Sequence, residues 1–170
     1  RGIDEDGLLP GGLGLQRKVL SYLFRAKSYT GSLRSRALIY SYALATSEEN
    51  ASGGKIVTAP KCGSSGVLPA VMYHLLKNHS FSDSKILKAL ATAGLIGSIV
   101  KENASVSGAE DGCQGEVGFA CAMAAGAAYQ LFGGRTAQIE YAAAMELDLH
   151  LCLTWDLYCG LAPVHCVRRD

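Results

Sequence analysis

Apolar residues recur at helical spacing through six segments of this sequence, and no segment sustains a two-residue alternation. A period near 3.6 residues places apolar side chains on one face of a helix, whereas a half-buried strand needs alternation. The pattern therefore predicts an all-α, multi-helix fold. The predicted helices cover 15–28, 33–49, a segment from Val67, a segment from Ser82 to about Val100, 116–132 and 137–151.

Three segments between these helices are polar and rich in glycine, and they cover 7–14, 50–66 and 101–115. The first, Gly-Leu-Leu-Pro-Gly-Gly-Leu-Gly, predicts a loop with unusual backbone angles. Long loops in a compact domain often carry function. The helix 116–132 is dominated by alanine and glycine, which predicts that another helix approaches it closely.

Composition limits the class of protein. Of the 170 residues, 49% are hydrophobic and 18% charged, so residues 1–170 can bury a core as one domain. The net charge of +1 gives no electrostatic basis for binding nucleic acid or an acidic membrane surface. No segment is apolar for long enough to cross a bilayer, and the N-terminus has no signal pattern. The abrupt ends lead us to expect a piece of a longer, cytoplasmic protein.

Six cysteines are spread along the chain. An even number is compatible with disulfides, but in a cytoplasmic chain metal binding, catalysis or plain burial is more usual. Cys121 lies among small residues in Ala-Cys-Ala-Met-Ala-Ala and is predicted to pack in the core.

Glycines and hydroxyls stand just before the helix predicted from Val67. Backbone N–H groups at a helix start carry partial positive charge and suit a carboxylate or phosphate. Ser64 and Ser65 are the candidate binding residues there. A simple structural loop is the alternative interpretation of this segment.

Cys113 lies between two glycines, with acidic residues nearby, just before the alanine-rich helix. The N–H groups at a helix start favour a thiolate, which is the ligand that a soft metal or a cluster needs. A tight turn with a buried thiol is the alternative. Cysteine spacing does not decide between them, because Cys113 and Cys166 match no compact paired pattern.

The glycine-rich segments, in order and through nearly the whole chain, resemble the α (catalytic) region of iron–sulfur-dependent L-serine dehydratases. The motifs that carry the resemblance are Gly7-Leu-Leu-Pro-Gly-Gly-Leu, Glu49-Asn50-Ala51, Thr58-Ala59-Pro60, Gly63-Ser64-Ser65-Gly66, Asn103-Ala-Ser-Val-Ser-Gly-Ala-Glu110 and Gly112-Cys-Gln-Gly-Glu-Val-Gly118.

The resemblance implies an all-helical catalytic domain that deaminates L-serine to pyruvate and ammonia. It implies a [4Fe–4S] cluster held by three cysteines, with one iron open as a Lewis acid for the serine hydroxyl while a base removes the α-proton. It also implies a β-type regulatory domain or subunit, and a homo- or hetero-oligomer.

The substrate-binding candidates are Ser64, Ser65, Asn103, Ser105 and Ser107. For each of these residues, capping a helix end is the alternative role. The general base is not identified. His150 is a candidate, although a lone histidine at the end of an apolar helix is more often structural.

Carried over position by position, the implied cluster ligands fall on Cys113, Trp155 and Cys166. Indole cannot ligate iron because its nitrogen is only a donor, and a cluster with an open iron needs three thiolates. Either Cys152 or Cys159 substitutes for the missing ligand, or the cluster is lost, or the C-terminal stretch is damaged sequence.

Loss of the cluster defines the alternative function, a catalytically inactive paralogue that acts as a binding or structural subunit. Such a subunit would pair with a β-type partner, or with itself through the helix 116–132. A third interpretation is a zinc or redox protein that uses Cys152, Cys159 and Cys166.

Overall fold

The computed structural model describes residues 2–104, 112–151, 157–158 and 162–163. Within them lie six helices and one antiparallel pair of two-residue strands, in which Leu157 is opposite Pro163. The prediction of an all-α fold is confirmed. The elements are α1 (Val19–Ser28), α2 (Gly31–Ala51), α3 (Val67–Asn78), α4 (Asp83–Asn103), α5 (Gly112–Leu131), α6 (Thr136–Leu151), β1 (Leu157–Tyr158) and β2 (Ala162–Pro163).

Helix α5 is the centre of the fold and packs against α3, α4 and α6, while α2 lies between α1 and α3. The main core forms where α3, α4 and α5 meet, because each helix turns a stripe of apolar side chains toward the others. This core contains Leu68, Met72, Ala89, Ala93, Phe119, Met123, Ala124, Ala127 and Leu131.

Glycines allow the close helix contacts predicted from the composition of α5. A Cβ at Gly126 would overlap Ile96 of α4, and a Cβ at Gly97 would lie 3.2 Å from the Met123 Cε. Helices pack at a distance set by the side chains between them, so these glycines bring α4 and α5 together. Because α5 is buried by helices of its own chain, the self-pairing surface expected on it is already occupied.

The N-terminal loop is longer than predicted. The helix expected from residue 15 begins at Val19, because the backbone before it pairs with the preceding loop instead: Leu9 donates to the Leu15 carbonyl and Arg17 donates to the Gly7 carbonyl. Positive φ angles at glycines in 7–14, including 104° at Gly7, confirm the unusual backbone angles predicted there.

Three other boundaries differ from prediction. Helix α2 starts at Gly31, where the φ of 55° is left-handed and is tolerated because the residue is glycine. Helix α4 continues through Asn103, which donates a side-chain hydrogen bond to the Ile99 carbonyl. Helix α5 starts at Gly112 because glycine lowers helix stability by only about 1 kcal/mol and does not forbid the helix. None of the described helices has the length and apolar character that crossing a bilayer requires.

Candidate active site

The loop before α3 buries both candidate serines. Ser64 and Ser65 are each 1% exposed. The N-cap of α3 is Gly66, and no side chain caps this helix, so neither serine has the capping role considered as the alternative. The Ser65 hydroxyl instead donates to the Cys62 carbonyl at 2.8 Å within the loop.

The Ser64 hydroxyl is buried and has no hydrogen-bond partner within the described part of the chain. A buried polar group without a partner costs about 1–3 kcal/mol, and such groups in folded proteins call for an explanation. A bound ligand that accepts a hydrogen bond from the Ser64 hydroxyl would explain why this group is buried without a partner among the described residues.

Glu116 joins this loop to the start of α5. Its Oε1 accepts the Ser64 backbone N–H at 3.0 Å. The same oxygen lies 2.8 Å from the position that a Cβ on Gly63 would occupy, so the carboxylate can approach the loop closely only because that residue is glycine. Cys113 lies one turn before Glu116 in α5.

The end of α2 contacts the same loop from the other side. The Asn50 amide donates to the Cys62 carbonyl at 3.4 Å, the acceptor that Ser65 also uses. Residues from three segments that are far apart in sequence therefore meet at this loop: the end of α2, the loop itself and the start of α5.

A cavity of about 540 Å³ opens beside Ser65. Its lining residues include Glu49, Lys55, Tyr42 and Tyr73. The cavity thus offers one acidic group, one basic group and apolar walls. A second cavity, between the segment 58–61 and helices α4 and α5, is lined by both Lys61 and Lys101.

An ion-pair network that the sequence analysis missed ties the segment before α1 to the end of α2. The Glu48 carboxylate is buried, accepts the Lys18 backbone N–H at 2.6 Å and lies 3.8 Å from the Arg17 guanidinium. Arg17 also pairs with Glu5 at 3.0 Å and donates to the Ser52 hydroxyl at 2.6 Å. Only the fold reveals this contact, because its partners are about thirty residues apart.

Cys121 and His150 face each other across α5 and α6. The thiol is half-buried rather than fully packed in the core, and its Sγ lies 3.5 Å from the His150 Nε2. Burial, and secondarily the Glu146 carboxylate, raises the pKa of the Cys121 thiol to about 11. His150 Nδ1 lies 2.7 Å from the Glu146 backbone carbonyl.

Of the other predicted site residues, the described part of the chain contains Asn103 and the backbone of Cys113. Asn103 is exposed at the end of α4. The backbone of Cys113 lies in the first turn of α5, and its side chain is outside the described residues. The predictions for Ser105, Ser107, Cys152, Trp155, Cys159 and Cys166 also fall outside the described residues.

Comparison with known proteins identifies the class to which this fold and loop belong. The family described as "Serine dehydratase alpha chain" matches residues 1–170, and the chain belongs to that family. The L-serine dehydratase of Streptomyces coelicolor is 43% identical over 173 residues, covering 100% of this chain and 38% of that protein.

Other relatives agree. The L-serine dehydratase of Haemophilus influenzae is 42% identical, covering 99% of this chain and 38% of that protein, and L-serine dehydratase TdcG of Escherichia coli is 40% identical over 100% of this chain and 38% of its own length. The chain therefore spans just over a third of the length of these relatives. Each of these relatives is named as an L-serine dehydratase.

Proposed function

We propose that the protein containing this chain is an L-serine ammonia-lyase, which converts L-serine to pyruvate and ammonia. The observation that carries the proposal is the meeting of three family motifs at one loop, through Asn50 to the Cys62 carbonyl and Glu116 to the Ser64 N–H. A binding site needs its groups fixed relative to one another, and these two hydrogen bonds fix the loop against both helices.

The two buried serines have different hydrogen-bonding capacities, which suit the two charged groups of an amino acid. Because the Ser65 hydroxyl already donates to Cys62, it can only accept, as an ammonium group requires. The unpartnered Ser64 hydroxyl can donate to the substrate carboxylate. Glu49 and Lys55 line the adjoining cavity and add charges of both signs for a zwitterion. Asn103, Ser105 and Ser107 remain proposed binding residues.

The donor set fits a cluster only in part. Of the three implied ligand positions, Cys113 and Cys166 carry thiols and Trp155 carries an indole, which cannot bind iron. The set becomes sufficient if Cys152 or Cys159 supplies the third thiolate. A bound [4Fe–4S] cluster would supply Lewis acidity toward the substrate hydroxyl.

The chain's own residues have a separate role in this reaction. The loop before α3 that contains Ser64 and Ser65 is called the serine loop. Glu116 fixes the distance between the serine loop and the α5 turn that contains Cys113, so that substrate held at the loop stays near that turn. The remaining predictions, a β-type partner domain or subunit, an oligomer and a cytoplasmic location, are consistent with an α-chain family and stay part of the proposal.

The experiment that tests the proposal measures iron, sulfide and pyruvate. After anaerobic reconstitution, we expect bound iron and sulfide and release of pyruvate from L-serine. Cys152→Ser and Cys159→Ser identify the third ligand, because only one of them should lose iron, while Cys62→Ser, at an exposed thiol, should retain it. Protein that binds no iron and releases no pyruvate under these conditions would contradict the proposal.

Substrate binding is tested separately with Ser64→Ala. Loss of a hydrogen bond to a charged group, at about 1.5–3 kcal/mol, corresponds to an increase in KM of about 10- to 100-fold. Because alanine removes an unpartnered buried hydroxyl, stability should not fall. Ser21→Ala, at an exposed serine, is the matched control and should leave KM unchanged. An unchanged KM in Ser64→Ala would remove this serine from the binding site.

A further inference from the structure

Three side chains that can bind a transition metal converge between α5 and α6. Cys121 of α5 and Glu146 and His150 of α6 each offer one ligand atom, and these atoms all lie within 4.8 Å of one another. All three residues are half-buried. Thiolate, imidazole and carboxylate together form the kind of donor set that zinc takes in proteins.

The spacing along each helix explains why the three side chains meet. Glu146 and His150 are four residues apart and therefore share one face of α6. On α5, Gly118 lies one turn before Cys121, and a Cβ at Gly118 would lie 2.9 Å from the His150 Cβ. The missing side chain at Gly118 therefore lets the end of α6 approach α5 closely enough to bring imidazole to thiol.

The histidine has the orientation that a ligand needs. Its Nδ1 lies 2.7 Å from the Glu146 backbone carbonyl, which can only accept, so Nδ1 carries the proton. The Nε2 lone pair then faces the Cys121 Sγ. Metal-binding histidines are usually fixed in this way, by a hydrogen bond from the other ring nitrogen to a carbonyl or carboxylate.

The distance between the two donors matches zinc geometry. With Zn–S near 2.3 Å, Zn–N near 2.0 Å and a tetrahedral angle, sulfur and nitrogen are about 3.5 Å apart. The observed separation of Sγ and Nε2 is 3.5 Å. Only the flexible Glu146 side chain would have to move to complete three ligands.

We propose that Cys121, Glu146 and His150 form a binding site for a divalent transition metal such as Zn²⁺, with water as the fourth ligand. As the metal binds, the Cys121 thiol releases its proton to solvent and its sulfur bonds the metal, so the charge balances. His150 is the next-to-last residue of α6, so the metal fixes the C-terminal end of that helix against α5. The site uses none of the residues named as cluster ligands or as binding residues for L-serine.

The test uses Co²⁺ as a spectroscopic probe on the chelator-treated, reduced chain. We expect one Co²⁺ per chain, with a thiolate-to-cobalt charge-transfer band and the visible bands of tetrahedral cobalt. Zn²⁺ should abolish these bands by displacement, because it binds such sites more tightly than cobalt does. A protein that gives no thiolate band would show that the 3.5 Å contact is only an S–H···N hydrogen bond.

Variants locate the cobalt among the six cysteines of the chain. Cys121→Ser and His150→Gln should each lose the charge-transfer band, while Cys62→Ser and Cys113→Ser should retain it. The second control separates this site from the proposed cluster, so that failure of one proposal leaves the other standing. Circular dichroism of each variant checks the fold. Should Cys121→Ser keep the band, or Cys113→Ser lose it, the assignment to these three residues is overturned.

Discussion

Replacing the buried Glu48 with alanine should destabilise the fold more than the loss of an exposed carboxylate among the described residues. The Glu48 carboxylate is 4% exposed, accepts the Lys18 N–H at 2.6 Å and lies 3.8 Å from the Arg17 guanidinium. The Arg17 side chain is itself only 7% exposed. The substitution removes the carboxylate that faces the buried Arg17 guanidinium, and it removes one acceptor of the part-buried Lys18 N–H.

The magnitude follows from those two losses. Removing one partner of a buried ion pair lowers the free energy of unfolding by about 3–5 kcal/mol. Arg17 keeps Glu5 at 3.0 Å and the Ser52 hydroxyl at 2.6 Å, so the lower part of that range applies. With an m-value of about 2 kcal/mol/M, a loss of about 3 kcal/mol lowers the urea midpoint by about 1.5 M.

Urea unfolding followed by far-ultraviolet circular dichroism measures this difference. Glu140→Ala, at an exposed position of α6, is the matched control and should change stability by less than about 0.5 kcal/mol. Glu5→Ala should fall between the two, because the Glu5 side chain is 36% exposed. If Glu48→Ala unfolds at the same urea concentration as Glu140→Ala, the buried network contributes nothing to stability and the reasoning fails.

Three further predictions concern glycine packing, pH and the serine loop. Gly66→Ala should lower stability by about 1–3 kcal/mol, because its Cβ would lie 2.5 Å from the Ala43 backbone carbonyl oxygen of α2. Gly94→Ala, with open space around it, should raise stability by up to about 1 kcal/mol in the same urea assay. Burial, and secondarily His79, lowers the pKa of His74 below 6.5, so on acidification the unfolded chain takes up the proton before the folded chain does. The contribution of His74 to stability should therefore be full above pH 6.5 and fall as the pH drops below that value. His74→Gln should flatten this decline in unfolding measurements, and a steeper decline would be contrary to the prediction. Glu116→Gln should preserve folding but weaken L-serine binding, because a neutral amide accepts the Ser64 N–H less strongly than a carboxylate, and an unchanged KM would dissociate this bond from substrate binding.

Helical spacing in the sequence was sufficient to predict the fold class and the existence of each helix, because amphipathic periodicity is a local property. The start of α1 could not be predicted that way. Whether residues 15–17 continue the helix or pair with residues 7–9 depends on a backbone bridge that no local pattern encodes. The start of α5 at Gly112 is also not predictable from the local sequence, because the glycines before residue 116 favour a loop.

A contiguous motif is enough to predict a loop with buried hydroxyls, whereas contacts between distant segments are not predictable in this way. Ser64 and Ser65 were identified from the glycines and hydroxyls before a helix, and the structure places both in a buried loop. The contribution of Glu116 was not identified, since its partner Ser64 lies 52 residues away. The cluster of Cys121, Glu146 and His150 was missed for the same reason: each residue alone looks like an ordinary member of its helix.

Two side-chain hydrogen bonds hold the serine loop, one from Asn50 of α2 to the Cys62 carbonyl and one from the Ser64 N–H to Glu116 of α5. Neither helix can shift relative to the other without bending the backbone that presents Ser64. Substitutions at Asn50 and Glu116 should therefore be energetically non-additive, although about sixty residues separate them. A change in the distance between α2 and the loop at the Asn50 hydrogen bond is therefore transmitted through the loop backbone to the Glu116 hydrogen bond, and the reverse also holds.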